Sequence, residues 1–256
     1  MAGHSKWAQI KRQKAANDAK RGQLYTKLGR EITVAARDGG GDPETNFRLR
    51  LAIQRAKDAN MPADTIERAV KRGSGELEDA ARLEDINYEG YGPGGAAFFI
   101  EALTDNRNRT VAELRNVLAR GGGNLGESGS VAWMFDTRGQ IIIELNGSDP
   151  DEAMLESIEL GAEDVQEEEG TLVVITLIEQ LEAVRRGMEE GGYTVDSAEL
   201  TRVPKTMSEP ETDKATQSMR LIEQVEDLDD VQKVYTNLEL TDELMVAFST
   251  NSALSG

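Results

Sequence analysis

Few residues in this chain have the type and spacing for chemistry. Its only histidine is His4, and it has no cysteine. Nucleophilic catalysis of the Ser-His-Asp or Cys-His kind needs a base oriented by a packed third group. His4 sits among polar and basic neighbours that offer no such packing. Zinc sites draw on several His or Cys ligands, and neither is available in number. The 47 carboxylates could in principle hold magnesium, but no spacing singles out a pair; they read as solvated acidic surface. Gly121-Gly-Gly-Asn-Leu-Gly126 spells G-x-G-x-x-G. The dinucleotide fingerprint requires a strand before it and a helix after it; here a helix precedes and a strand follows, so it reads as a helix end and loop. No G-x-x-x-x-G-K-[ST] phosphate loop occurs. The expectation is a protein without catalytic residues, cofactor or metal. A metal-dependent nuclease is the weakest alternative.

What remains is cationic chemistry. His4, Lys6, Lys11, Arg12, Lys14, Lys20 and Arg21 crowd the first residues, and Lys27 and Arg30 follow on a helical stretch. Ammonium and guanidinium groups neutralise phosphates, so these nine residues are the candidate nucleic-acid contacts. Trp7 joins them as a stacking or anchoring ring. Arg107 and Arg109, in Thr104–Thr110, are secondary candidates; the alternative is that they pair with nearby acids.

The charge distribution supports this division. Net charge is −18, yet residues 1–75 carry 16 Lys and Arg against 8 Asp and Glu, a net of +8. The remainder carries 13 against 39, a net of −26. Such asymmetry points to a polyanion-binding end; the plainer alternative is that the basic end docks on the acidic remainder. No apolar run is long enough to cross a bilayer, and Met1–Ala8 has no apolar signal core. A cytoplasmic protein with nucleic acid, DNA or ribosomal RNA, as partner is expected, and no membrane partner.

These groups must be positioned by elements. Residues 1–75 read as helical. Their first twenty hold only Trp7 and Ile10 as large apolar residues, too few to offset the entropy of ordering. Leu24, Leu28, Ile32 and Ala35 recur at helical spacing, with Lys27, Arg30 and Arg37 on the other side. Gly39–Gly41 ends that helix. Asp42 is expected to cap the next, with Pro43 at its first position. A fourth helix carries Ile66, Ala69 and Val70. Strands are expected at 86–91, 96–103 and 131–135. Thr110-Val-Ala-Glu113 reads as a capping box. Residues 138–204 read as βαββαβ, the ferredoxin-like order, with a second capping box at Thr176-Leu-Ile-Glu179. A later helix and strand need a sheet to join. The domains are therefore 1–75, a middle domain split between 83–137 and 205–240, the inserted 138–204, and a frayed tail at 241–256. The fold class is α+β.

Several segments in order resemble the YebC/PmpR family. They are His4-Ser-Lys-Trp-Ala8, Ala15-Ala-Asn-Asp-Ala-Lys-Arg-Gly22, Arg30-Glu-Ile-Thr-Val-Ala-Ala-Arg37, Arg48-Leu-Arg-Leu-Ala-Ile53, Ala59-Asn-Met-Pro62 and Tyr88-Glu-Gly-Tyr-Gly-Pro-Gly-Gly95, followed by 103–110, 122–135 and 231–237. The resemblance implies three domains, one helical and two α/β. It implies a regulator of gene expression, described for bacterial members as a DNA-binding transcriptional regulator. The alternative within the family is a translational activator or translation factor at the ribosome, binding RNA. Gly29 and Phe47 depart from the family pattern, which has a large apolar residue and a proline there. Gly29 should weaken its helix by about 1 kcal/mol relative to alanine.

Overall fold

The structure, a computed structural model, describes residues 18–77, 83–168 and 170–253; for residues 18–21, 242 and 249–253 it describes the backbone alone. Helices and strands are segregated within an α+β fold. By contacts the chain forms two compact units. One comprises residues 133–207, and the other residues 18–132 together with 208–253.

The larger unit begins with three helices: α1 (Asp18–Gly39), α2 (Phe47–Asp58) and α3 (Ala63–Gly73). Leu28, Ile32 and Ala35 of α1, Leu49, Ala52 and Ala56 of α2, and Ile66 and Ala69 of α3 form their common core. The close fit of α3 on α1 depends on Gly73, where a Cβ would lie 2.2 Å from the Thr33 carbonyl oxygen. The expected cap at Asp42 gives way to Asn46. Its Oδ1 accepts the Leu49 N–H, and its Nδ2 donates to the Ala35 and Gly40 carbonyls. One amide thus caps α2 and ties down the end of α1, so residues 42–46 form turns instead.

The same unit continues into a four-stranded sheet of order β3-β1-β2-β8: β1 (Glu84–Tyr91), β2 (Ala97–Thr104), β3 (Asn124–Leu125) and β8 (Val231–Thr236), every pairing antiparallel. Two helices cover it, α4 (Arg107–Arg120) and α7 (Thr212–Glu226). They can approach because Gly121 and Gly123 leave room for Leu221. The glycine-rich segment after α4 is held by Glu89, a buried carboxylate that accepts N–H groups from Gly129, Val131 and Ala132 at 2.6–2.8 Å. Burial alone would raise its pKa; those three donors outweigh it and hold it below the ordinary value. Thr110 does not open α4. Asn106 caps it, and Thr110 is buried inside it. Nor is residue 241 onward frayed over its described part. Helix α8 (Asp242–Ala253) buries Leu244 and Phe248, because these side chains recur at helical spacing and find apolar cover.

The smaller unit is a sheet of order β5-β6-β4-β7: β4 (Phe135–Glu144), β5 (Asp164–Glu168), β6 (Thr171–Thr176) and β7 (Thr194–Pro204), with helices α5 (Pro150–Glu159) and α6 (Leu181–Glu190). This is the ferredoxin-like arrangement. Ile141, Ile143, Leu172, Val174, Val184 and Met188 fill its core. The strand expected at 131–135 is not formed: Ala132–Met134 make a 3-10 turn, and only Phe135 is extended, as the first residue of β4. Thr176 caps nothing. A 3-10 turn at Ile178–Gln180 intervenes before α6, and the Thr176 hydroxyl donates to the Leu177 carbonyl instead.

Candidate nucleic-acid interface

His4, Lys6, Trp7, Lys11, Arg12 and Lys14 lie outside the described residues. Lys20 and Arg21 fall in the first turn of α1, described for backbone only. Lys27 and Arg30 are fully described, and both reach the middle domain.

Gln23, Lys27 and Arg30 are spaced i, i+4, i+7, one stripe along α1. Gln23 Nε2 donates to the Asp227 carbonyl at 3.2 Å, and Lys27 Nζ to the Glu226 carbonyl. Arg30 donates to the carbonyls of Leu103, at 3.2 Å, and Asp229. The acceptors at 226 and 227 are carbonyls at the C-terminal end of α7, where the helix dipole favours cations.

Beneath them sits Asp230, 1% exposed. Arg30 Nη2 pairs with it at 2.8 Å, and Arg109 Nη2 lies 2.8–2.9 Å from both its oxygens. The hydroxyls of Thr110 and Thr104 donate to it at 2.7 and 3.0 Å. Burial alone would raise the Asp230 pKa. The Arg109, Thr110 and Thr104 hydrogen bonds and the Arg30 charge outweigh it, leaving the pKa below the ordinary aspartate value. Arg109 in turn is held more firmly protonated by Asp230 and Asp105. A polar cleft of about 440 Å³ opens beside this cluster, lined by Gln23, Arg30, Arg109, Glu113, Asp227 and Asp229 among others.

Both secondary candidates are occupied by carboxylates of the chain, Arg107 by Glu84 at 2.5 Å and Arg109 by Asp105 and Asp230. Arg37 pairs with Asp38 and Asp85. Other cations of the helical domain are differently placed. Lys57, Arg68 and Arg72 are exposed and make no ion pair among the described residues. Arg68 and Arg72 share one face of α3, and Arg50 on α2 lies 5.3 Å over the Phe47 ring. Sequence reasoning passed over these four. The available signal was spacing: Arg50 and Lys57 stand i, i+7 beside the apolar stripe of α2, and Arg68 and Arg72 stand i, i+4 opposite that of α3. It also missed Asp230, whose burial no local pattern encodes.

The chain matches two family models. One, described as the TACO1/YebC protein N-terminal domain, covers residues 5–76; the other, the TACO1/YebC second and third domain, covers 83–238. The chain belongs to the TACO1/YebC family. It is 56% identical over 252 residues to a "Probable transcriptional regulatory protein" of Roseiflexus castenholzii, spanning 97% of this chain and 99% of that protein. It is 55% identical to a protein of the same description from Halothermothrix orenii, spanning 96% and 98%. Among solved structures, a conserved hypothetical protein from Aquifex aeolicus superposes with a TM-score of 0.80 at 44% identity, over 88% of this chain and 93% of that one. Within the TACO1/YebC fold, the helical domain is therefore the part that holds the excess positive charge. No described helix is long and apolar enough to cross a membrane.

Proposed function

We propose that this chain is a nucleic-acid-binding regulator of gene expression that grips the phosphate backbone through its basic N-terminal region. The observation that carries the reading is the +8 net charge of residues 1–75 on a chain whose remainder is −26. The names of its relatives, probable transcriptional regulatory proteins, support a regulatory role. The contacts proposed are His4, Lys6, Lys11, Arg12, Lys14, Lys20 and Arg21, with Trp7 stacking or anchoring. To these the exposed Lys57, Arg68 and Arg72 are added. Lys27 and Arg30 have a different part: joined to α7 and Asp230, they fix how the helical domain is presented. The acidic remainder repels phosphate and so confines contact to one end.

The proposed action is binding without turnover. With no cysteine and a single histidine, the chain lacks the usual nucleophile and base pairs.

The test is affinity for a labelled 20-base-pair duplex, and for a single-stranded RNA of the same length, across a salt series. Binding to duplex should weaken with a log–log slope of about −0.9 per phosphate neutralised. Replacing Lys11, Arg12 and Lys14 by glutamine should flatten that slope by about 2–3. A slope unchanged by the triple substitution places the contact elsewhere and refutes the reading.

A further inference from the structure

The ferredoxin-like unit has 18 Asp and Glu against 5 Lys and Arg over residues 133–207, a net of −13. Its helix layer has two arginines, both engaged on α6. Arg185 pairs with Glu182 and Glu189, and Arg186 lies 3.7 Å from Glu182. On α5, Asp151, Glu152 and Glu159 make no ion pair among the described residues.

Between those carboxylates the same helix exposes aliphatic side chains. Leu155 is 64% exposed and Ile158 54%. At 100° per residue, Asp151, Leu155 and Ile158 fall within a narrow outward stripe, bordered along one side by Glu152 and Glu159. Ala153 and Ser157 take the buried side. Further exposed aliphatics lie elsewhere in the unit. Gln180 lies against the Gly161 turn that ends the helix, which brings the Ile178–Gln180 turn alongside; Ile178 is 48% exposed. In the sheet, Gly139 pairs with Thr176 on one side and with Leu200 on the other, and Leu200 is 49% exposed. Six of the nine exposed large hydrophobic side chains among the described residues belong to this unit. A surface that sets exposed aliphatics beside a row of like charges is built for a partner.

We propose that the α5 face of the ferredoxin-like unit docks a lysine- and arginine-rich amphipathic segment of a partner protein. Aliphatic groups of the partner cover Leu155, Ile158 and Ile178, and its cations pair with Asp151, Glu152 and Glu159. Charge complementarity selects this occupant. Nucleic acid is repelled by the carboxylates, and an acidic protein equally. The surface is independent of the phosphate-binding residues, so the chain would join a nucleic acid to a basic protein.

Two measurements on the full chain test this. The first is anisotropy of a labelled 18-residue peptide with leucine and lysine at helical spacing. Substituting Leu155→Ser and Ile158→Ser, which leaves net charge unchanged, should weaken binding at least tenfold, and Leu77→Ser, at an exposed site in the other unit, should not. A leucine-free lysine–glycine peptide of equal charge should bind at least tenfold more weakly than the amphipathic one. Equal binding by wild type and the double variant overturns the proposal. The second places a photo-crosslinking residue at position 155 in cells and sequences the joined peptide. A basic, aliphatic-containing segment of another protein supports the proposal. Joining to nucleic acid, to a second copy of this chain, or to nothing overturns it.

Discussion

Asp230 joins the helical domain to the sheet that follows it. Two arginines from different domains and two threonine hydroxyls converge on a carboxylate that is 1% exposed. Removing one partner from a buried pair costs about 3–5 kcal/mol. Arg109 stays partly exposed, so Asp230→Asn should cost about 2–3 kcal/mol once solvent screening is allowed for, read as a lower urea midpoint. The pH dependence has a fixed sign. The folded pKa lies below the unfolded one, so the unfolded chain binds the proton more readily. The contribution of Asp230 is complete above about pH 4, the unfolded value. It is lost as pH falls through the depressed folded value. Urea midpoints measured between pH 6 and 2 should fall less steeply for Asp230→Asn than for wild type in that acid window. Arg30 and Arg109 were visible in the sequence as cations. Their partner was not, because Leu228-Asp229-Asp230 reads as three ordinary loop residues until tertiary packing buries the last of them.

At the level of elements, periodicity located most helices and strands but misplaced their ends. Thr110 and Thr176 both fit a capping pattern, yet the helix near the first begins earlier and the helix near the second later. In each case the hydroxyl has a different partner, Asp230 or the Leu177 carbonyl. The last helix was not legible, because the apolar residues of 241–256 bunch in Leu244–Phe248 and small polar residues follow. Its attachment rests on Leu244 and Phe248. Phe248→Ala should therefore cost about 3–5 kcal/mol, where a frayed tail would register no change in denaturant midpoint. Gly29 offers the opposite case. A Cβ there would meet only Met61 Cε, at an ordinary 3.6 Å. Gly29→Ala should stabilise α1 by about 1 kcal/mol, a rise in Tm of roughly 2–4 °C.

Across the whole molecule, charge was the most legible property and its use the least. The +8 and −26 segments could mean a polyanion site or an internal salt-bridged dock. Both patterns have residues to draw on: Lys27, Arg30 and Arg37 contact the middle domain, whereas Lys57, Arg68 and Arg72 make no ion pair there. Deleting residues 1–21 should abolish binding to duplex or RNA and leave the α/β units folded, as judged by a retained cooperative urea-unfolding transition. The order of synthesis gives the split sheet a further meaning. Strand β2 ends at Thr104, but its neighbour β8 begins only at Val231. A nascent chain therefore carries β2 with one edge open while the 75 residues of the ferredoxin-like unit are made, and that unit has every strand it needs before β8 emerges. Asp230 arrives just ahead of β8, so Arg30 and Arg109 wait for their shared counter-ion until the chain is nearly finished. The helical domain is made first and fastened last, and a ribosome that stalls before residue 230 leaves its cations unfastened.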